Sequence, residues 1–415
     1  MLTAHLGTSR KQRLALGFLA AMLAIHAAAW WEVRPQLQAG YQDFTMYYTS
    51  GRILSLGDGT RLFDGALQYR IQQQFAPNVS IRHGSSPNLH LPVEAVIFVP
   101  FARLPYFEAY LLWDGLSVGL LAFTVAILRR HLPALREQSA LFWVLLPLGF
   151  FPVFVALLQG QDIIVLLLLY ALAYSAMRKQ SGALAVCWLG LGLFRFHLVL
   201  PFVLLAALTR RWRLVGGFAA VAAVMVLLSL AIVGRHEALA YPMYLLHVEN
   251  MVGEVIAPEI MTNLRGLLHT LLHNVVPPTA VFVLIIGASA ALLWAAVKLL
   301  RSTCAEEKFP LGYSLAVLTA LLVSYHQYDY ELSLLLIPIL LTADYVQAHP
   351  TNRSHGWVIL GPMCLLFVSP LHMALLFRWK LACLLALVLL AWFWAIAREM
   401  SGISKRRETR AHDLP

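Results

Sequence analysis

Residues 14–31 read LALGFLAAMLAIHAAAWW, a run in which His26 is the only ionisable side chain. As a helix rising 1.5 Å per residue it is about 27 Å long, close to the hydrocarbon thickness of a bilayer. It ends on a tryptophan pair of the kind that sits at membrane interfaces, with no small-residue cleavage site, so it reads as a retained span rather than a leader peptide. Similar runs recur along the chain. The 415 residues are 60% hydrophobic and 13% charged, against about 25% charged in soluble domains, and mean hydropathy is +0.71. The fold class that follows is all-α: a polytopic membrane protein.

The positive charge sets the sides. Short connections carry SRKQR (9–13), RRHLPALREQ (129–138), RKQ (178–180), RRWR (210–213) and RSTCAEEK (301–308), joined by the Arg353 loop and REMSGISKRRETR (398–410). Lys and Arg gather in cytoplasmic loops, so the net charge of +10 reflects topology, and no nucleic-acid partner is expected. Spans near 14–31, 106–128, 139–158, 163–177, 182–193, 197–209, 214–233, 276–300, 309–325, 332–347, 357–371 and 380–397 give about twelve crossings. Both termini are then cytoplasmic. Long external loops fall at 32–105 and 234–275, the first ending in the proline-rich LPVEAVIFVPFARLP (91–105), read as a surface or re-entrant segment. The short spans 182–193 and 197–209 meet at FRFH and suggest a cavity-lining hairpin. Residues 1–400 form one domain, and 401–415 form a basic, disordered tail. Cys187, Cys304, Cys364 and Cys383 make no CxxC pair and suggest neither metal nor redox chemistry.

Outside the spans, polar residues concentrate on the other face: DFTMYYTSGR (43–52), NLHLPVE (88–94), QGQD (159–162), FRFH (194–197), TNLRG (262–266) and SYHQYDYE (324–331). Each alone is ordinarily a solvated span end or an aromatic belt. Six on one face point to a cavity, because ionisable groups at membrane depth line functional sites. The residue types suit sugar transfer from a lipid phosphate, which needs a base for the acceptor hydroxyl and donors for the leaving phosphate. Asp43 is the candidate base, its bland alternative being a helix cap. His326 is a candidate proton relay, and Asp329 and Glu331 form a second acidic pair. Arg195, His197 and Arg265 are candidates for the phosphate. Tyr47, Tyr48, Arg52, Gln159, Gln161, Asn263, Tyr328 and Asp329 are candidates for sugar or acceptor. No Asp-x-Asp pair suggests a metal, and none is expected.

With those residues in view, DFTMYYTSGRILSLGDGTRLFD resembles the first external loop of glycosyltransferase family 87, in the GT-C superfamily. LPVEAVIFVPFARLPYFEAYLLW (91–113), LLQGQDIIVLLLL (157–169) and SYHQYDYELSLLLIP (324–338) continue the resemblance in order, over roughly residues 10–345. The sequence departs from the pattern at FRFH, where Lys-Pro is common, at His90-Leu91-Pro92, where Tyr-Pro-Pro is usual, and at Tyr325, where Pro is usual. The resemblance implies a membrane hexosyltransferase. It would use a polyprenyl-phosphate sugar, commonly mannose, with membrane lipids around it and a lipid or glycan acceptor. It also implies inversion of a β-linked donor to an α-linked product, with the active site on the external face of the cell inner membrane. The competing reading is a lipid-linked glycan flippase or transporter without bond chemistry, which would favour internal repeats; none is evident.

Overall fold

The computed structural model describes residues 10–79, 89–249, 256–301, 308–349 and 353–412. Asn88, Cys304 and most of the 301–308 connection lie outside them. The described chain is helical, with no β-strand, as a bilayer demands of an apolar chain whose backbone groups must pair within their own segment.

The helices are α1 (Arg10–Ala39), α2 (Phe44–Ser55), α3 (Gly65–Gln72), α4 (Ala95–Phe98), α5 (Tyr106–Arg129), α6 (Ala140–Leu148), α7 (Phe151–Leu158), α8 (Ile163–Arg178) and α9 (Gly182–Leu191). They continue as α10 (Phe196–Leu208), α11 (Trp212–Glu249), α12 (Leu264–Leu272), α13 (Pro278–Arg301), α14 (Phe309–Val323), α15 (Leu336–Ala348), α16 (Arg353–Leu365), α17 (Ser369–Met373) and α18 (Leu385–His412). Among the described residues, seven helical stretches are long and apolar enough to cross a bilayer, or nine if the bent pairs α6–α7 and α16–α17 each count once.

The 182–208 stretch passes that test by length as a single segment, yet its halves run opposite ways. In α9, Val186 packs against Gly217 and Gly190 against Val221, so α9 runs parallel to α11. In α10, Phe202 meets Tyr170 and Tyr313, and Leu205, Ala206 and Thr209 share a cleft with Met177, Arg178 and Gln180. The chain therefore turns back at the 3-10 turn Gly192–Arg195.

The basic connections meet at one end. Gln12 donates to Gln138 at 2.9 Å, Arg301 to the Leu208 carbonyl at 2.5 Å, and Lys308 to the Met400 carbonyl at 3.2 Å. A core of Leu, Ile and aromatic side chains from α8, α14, α15 and α18 fills the centre.

Three expectations change. The region between α1 and α5 is folded into α2, α3, α4 and 3-10 turns rather than an open loop, because its aromatic residues pack on one another: Phe44, Tyr48, Phe75 and Tyr106 form one cluster. Residues 91–105 make only short turns. The expected second loop opens at Gly234, a non-helical break whose φ of 78° a residue with a Cβ adopts only with strain, but beyond that break the chain returns to helix as far as Glu249, so α11 is two helices meeting at a kink. Helix α18 runs on to His412, so the tail expected to be disordered continues it; its Lys, Arg and Glu are good helix formers.

Candidate functional site

The site lies at the end away from the basic connections and is built from chain reversals. Residues 159–162 turn between α7 and α8 through Gly160 at φ 60°. A Cβ there would stand 2.8 Å from that of Phe44, so this turn and the start of α2 approach only because residue 160 is glycine. The Gly160 carbonyl accepts from the Trp113 indole at 2.9 Å. Gln159 then holds the start of α2 twice, its carbonyl accepting from Phe44 N at 2.9 Å and its Oε1 from Asp43 N at 3.0 Å.

Asp43 occupies the N-cap position of α2 but its side chain makes no capping hydrogen bond. The carboxylate instead lines a cavity of about 720 Å³, where Gln161 Nε2 donates to Oδ2 at 2.6 Å. The other end of that amide is equally committed, since Gln161 Oε1 accepts from Tyr47 OH at 2.7 Å and from Arg195. An amide facing a guanidinium must present its oxygen, so the network fixes which end meets Asp43.

Arg195, at the tip of the α9–α10 hairpin, is 2% exposed and nearly saturated. Its Nε donates to Asp162 Oδ1 at 2.8 Å, one terminal nitrogen to Glu331 Oε1 at 2.9 Å, and the other to Tyr47 OH at 2.9 Å and again to Asp162. Tyr330 lies beneath, with the guanidinium carbon 5.5 Å from its ring centroid. Glu331 also contacts His197 Nε2 at 2.7 Å and accepts from Tyr328 N at 2.8 Å.

Behind Asp162 stand His90 and Glu94, both buried. His90 Nδ1 is 2.5 Å from Glu94 Oε2 and 3.6 Å from Asp162 Oδ2. Burial, and the charge of Asp162 beside it, hold the Glu94 carboxyl well above the usual carboxylate range. Burial opposes charge on Asp162 most strongly, but Arg195, the hydrogen bond from Glu94 and His90 together outweigh it and hold that carboxyl well below the usual range. Burial and the Arg195 charge lower His90. These three residues bring one ligand atom each within 4.8 Å of one another and are the set among the described residues that could hold a metal ion, where none was expected from the sequence.

The cavity gathers Asp43, Tyr47, Gln159, Gln161, Arg195, His197, His326, Tyr328 and Asp329, with Pro242, Leu245, Leu246, Ile256, Ile260 and Phe377 as an apolar wall. Asp329 is backed by His372 Nδ1 at 3.1 Å. The His326 ring lies edge-on to Tyr328, with centroids 4.7 Å apart.

Four expected contacts fall elsewhere. Asn263 caps α12, accepting from Gly266 N at 2.9 Å and donating to the Ser324 carbonyl at 2.7 Å, which uses both ends of its amide. Arg265 lies over the Tyr325 ring, 4.1 Å from its centroid, and donates to the Tyr325 carbonyl. Tyr48 donates to the Leu104 carbonyl at 2.7 Å, and Arg52 to the Ala102 carbonyl at 3.2 Å; both bind the first folded region to itself. Sequence reasoning left Asp162, His90, Glu94 and His372 without roles. The QGQD motif and the i, i+4 spacing of His90 and Glu94 were the signals for the first three; His372 had none.

The family model for glycosyltransferase family 87 matches residues 89–324, more than half of the chain. The chain belongs to glycosyltransferase family 87. It is therefore a membrane glycosyltransferase. The matched span takes in the family 87 segments at 91–113 and 157–169 and stops at the start of 324–338, while Asp43 lies before it. No curated protein and no solved structure matches the chain.

Proposed function

We propose that this chain is a GT-C-type hexosyltransferase. It moves a sugar, mannose by the family resemblance, from polyprenyl phosphate to a lipid or glycan acceptor. About twelve membrane legs carry it in the cell inner membrane, with both termini cytoplasmic and the cavity opening on the external side.

One observation carries the reading: a carboxylate at the cavity wall that caps no helix and is aimed by a locked amide. Asp43 takes the proton of the acceptor hydroxyl as that oxygen attacks the anomeric carbon. Attack opposite the phosphate inverts the configuration through an oxocarbenium-like transition state, as in inverting glycosidases. His197 and His326, at the cavity surface, donate to the departing phosphate, with the Arg195 charge behind them. His326 can return the proton, and Tyr328, Asp329 and Gln159 offer polar contacts to sugar hydroxyls. The apolar wall formed by Leu245, Leu246 and Ile256 suits the prenyl chain.

The reaction as written needs no metal, because a monophosphate leaving group is met by side-chain N–H donors with the Arg195 charge behind them. The His90–Glu94–Asp162 set then holds a proton on Glu94 rather than a cation.

The test is transfer of labelled sugar from a synthetic polyprenyl-phosphate donor by purified protein. Asp43→Asn keeps the shape but cannot accept the proton, and turnover should fall by about 10²–10⁴-fold while donor binding persists. Near-normal turnover in that variant removes Asp43 as the base and moves suspicion to Asp329. Translocation of the lipid across vesicles without any transfer would favour the flippase reading.

A further inference from the structure

At the basic end, far from the cavity, residues of α5 and α6 line a groove of about 780 Å³. That is within the roughly 300–1,000 Å³ of small-molecule sites. Its floor is apolar: Leu121, Val125 and Leu148, with the small side chains of Ala122 and Ala126 opening its side. Its mouth is cationic, with Arg129, Arg130 and Arg136 all exposed.

The fold fixes the Arg129 guanidinium and brings the backbone of Arg136 to it. Arg129 donates twice to the Arg136 carbonyl, at 2.9 and 3.3 Å, which closes the 130–136 connection over the groove. Its guanidinium carbon also stands 5.5 Å from the Trp143 ring centroid. Trp143 lines the groove, is 6% exposed, and its Nε1–H has no acceptor among the described residues. A buried indole donor normally finds a partner.

Arginines at the basic ends of spans are ordinary by themselves, because positive residues gather there whatever they bind. This trio differs in crowning a preformed apolar groove between two spans, with an unpaired donor in its wall. We propose that the groove binds an anionic phospholipid, its phosphate on Arg130 and Arg136 and one acyl chain along Ala122 and Ala126. Basic pockets between membrane helices on the cytoplasmic side recognise such head groups. The exposed acid nearby, Glu137, does not line the groove. The site is separate from the sugar-transfer cavity and rests on no feature of it.

The experiment titrates purified full-length protein in detergent with phosphatidylglycerol or phosphatidylcholine of identical chains and counts bound lipid by native mass spectrometry. Each arginine near an anionic head group is worth about fivefold. Arg130→Gln with Arg136→Gln should therefore weaken phosphatidylglycerol by about twenty- to thirtyfold and leave phosphatidylcholine unchanged. Ala126→Trp, at an exposed position that does not support the core, should block the groove and lose the lipid with every arginine still in place. The proposal is overturned if wild-type protein takes both lipids equally. It is also overturned if Ala126→Trp retains phosphatidylglycerol, since the arginines would then form only a diffuse belt, or if glycerol 3-phosphate displaces the lipid at equal concentration.

Discussion

Arg195 offers the sharpest perturbation, because its charge is enclosed by two carboxylates. Replacing it with Met keeps an unbranched, bulky side chain but leaves Asp162 and Glu331 without their guanidinium. The two are not left alike. Glu331 keeps His197 at 2.7 Å and the Tyr328 amide at 2.8 Å, whereas Asp162 caps no backbone N–H and keeps His90 at 3.6 Å, the Tyr47 hydroxyl at 3.2 Å and the protonated Glu94. Removing one partner of a buried pair costs about 3–5 kcal/mol through the charge left behind, and most of that cost should fall on Asp162. Arg195→Met is therefore expected to lower the thermal unfolding temperature in detergent markedly. Adding Asp162→Asn should restore most of the loss, leaving about 1–2 kcal/mol for the missing hydrogen bonds, and adding Glu331→Gln should restore less. Sugar transfer by Arg195→Met/Asp162→Asn then isolates catalysis from folding. A stable but inactive double variant with weakened donor use gives Arg195 a part in holding phosphate, and recovered turnover makes it a positioning residue. The reasoning is refuted if Arg195→Met melts like wild type, or if Glu331→Gln rescues it better than Asp162→Asn.

Two further outcomes follow from the same network. Gln161→Glu places a second carboxylate 2.6 Å from Asp43, where two negative charges share one proton, so it should cost more turnover than the larger truncation Gln161→Ala and regain activity in alkaline buffer; equal losses with no pH recovery would contradict the amide's role. Glu94→Gln tests what the buried triad holds. Unfolded glutamate loses its proton near pH 4.3, whereas folded Glu94 keeps it to higher pH, so above that point the folded state holds the extra proton and stability falls as pH rises. Melting curves at pH 5 and 8 should show Glu94→Gln gaining on wild type at pH 8; a loss at pH 8, with metal found in the wild-type protein, would assign the triad to a cation.

Much of the site was legible in the sequence because its residues cluster locally. DFTMYY, QGQD, FRFH and the stretch 324–331 each mark a chain reversal between apolar runs, and each reaches the cavity. The turn at Gly192–Arg195 was readable from two spans too short to cross separately. What the sequence could not say is which polar groups are consumed by the fold. Asn263 resembles a sugar-binding amide until Gly266 N and the Ser324 carbonyl are seen to occupy both its ends. Arg195 resembles a phosphate ligand until Asp162 and Glu331, 33 and 136 residues away in sequence, take its donors. The second half of α11, past the non-helical break at Gly234, lay inside the expected loop 234–275 because a helix there shows no apolar run of membrane length.

The separation of basic end from cavity end has a logistical meaning. A helix such as α13, with 24 residues, is about 36 Å long, so on the proposed topology the two ends look into different compartments. On that topology Asp43, as the proposed base, meets only what is present in the leaflet at its own end. A lipid-linked sugar assembled beside the arginines would have its polar head on the wrong side and would need carrying across by another agent before this chain could use it. The pace of glycan assembly would then be governed by delivery of that lipid as much as by chemistry at the carboxylate.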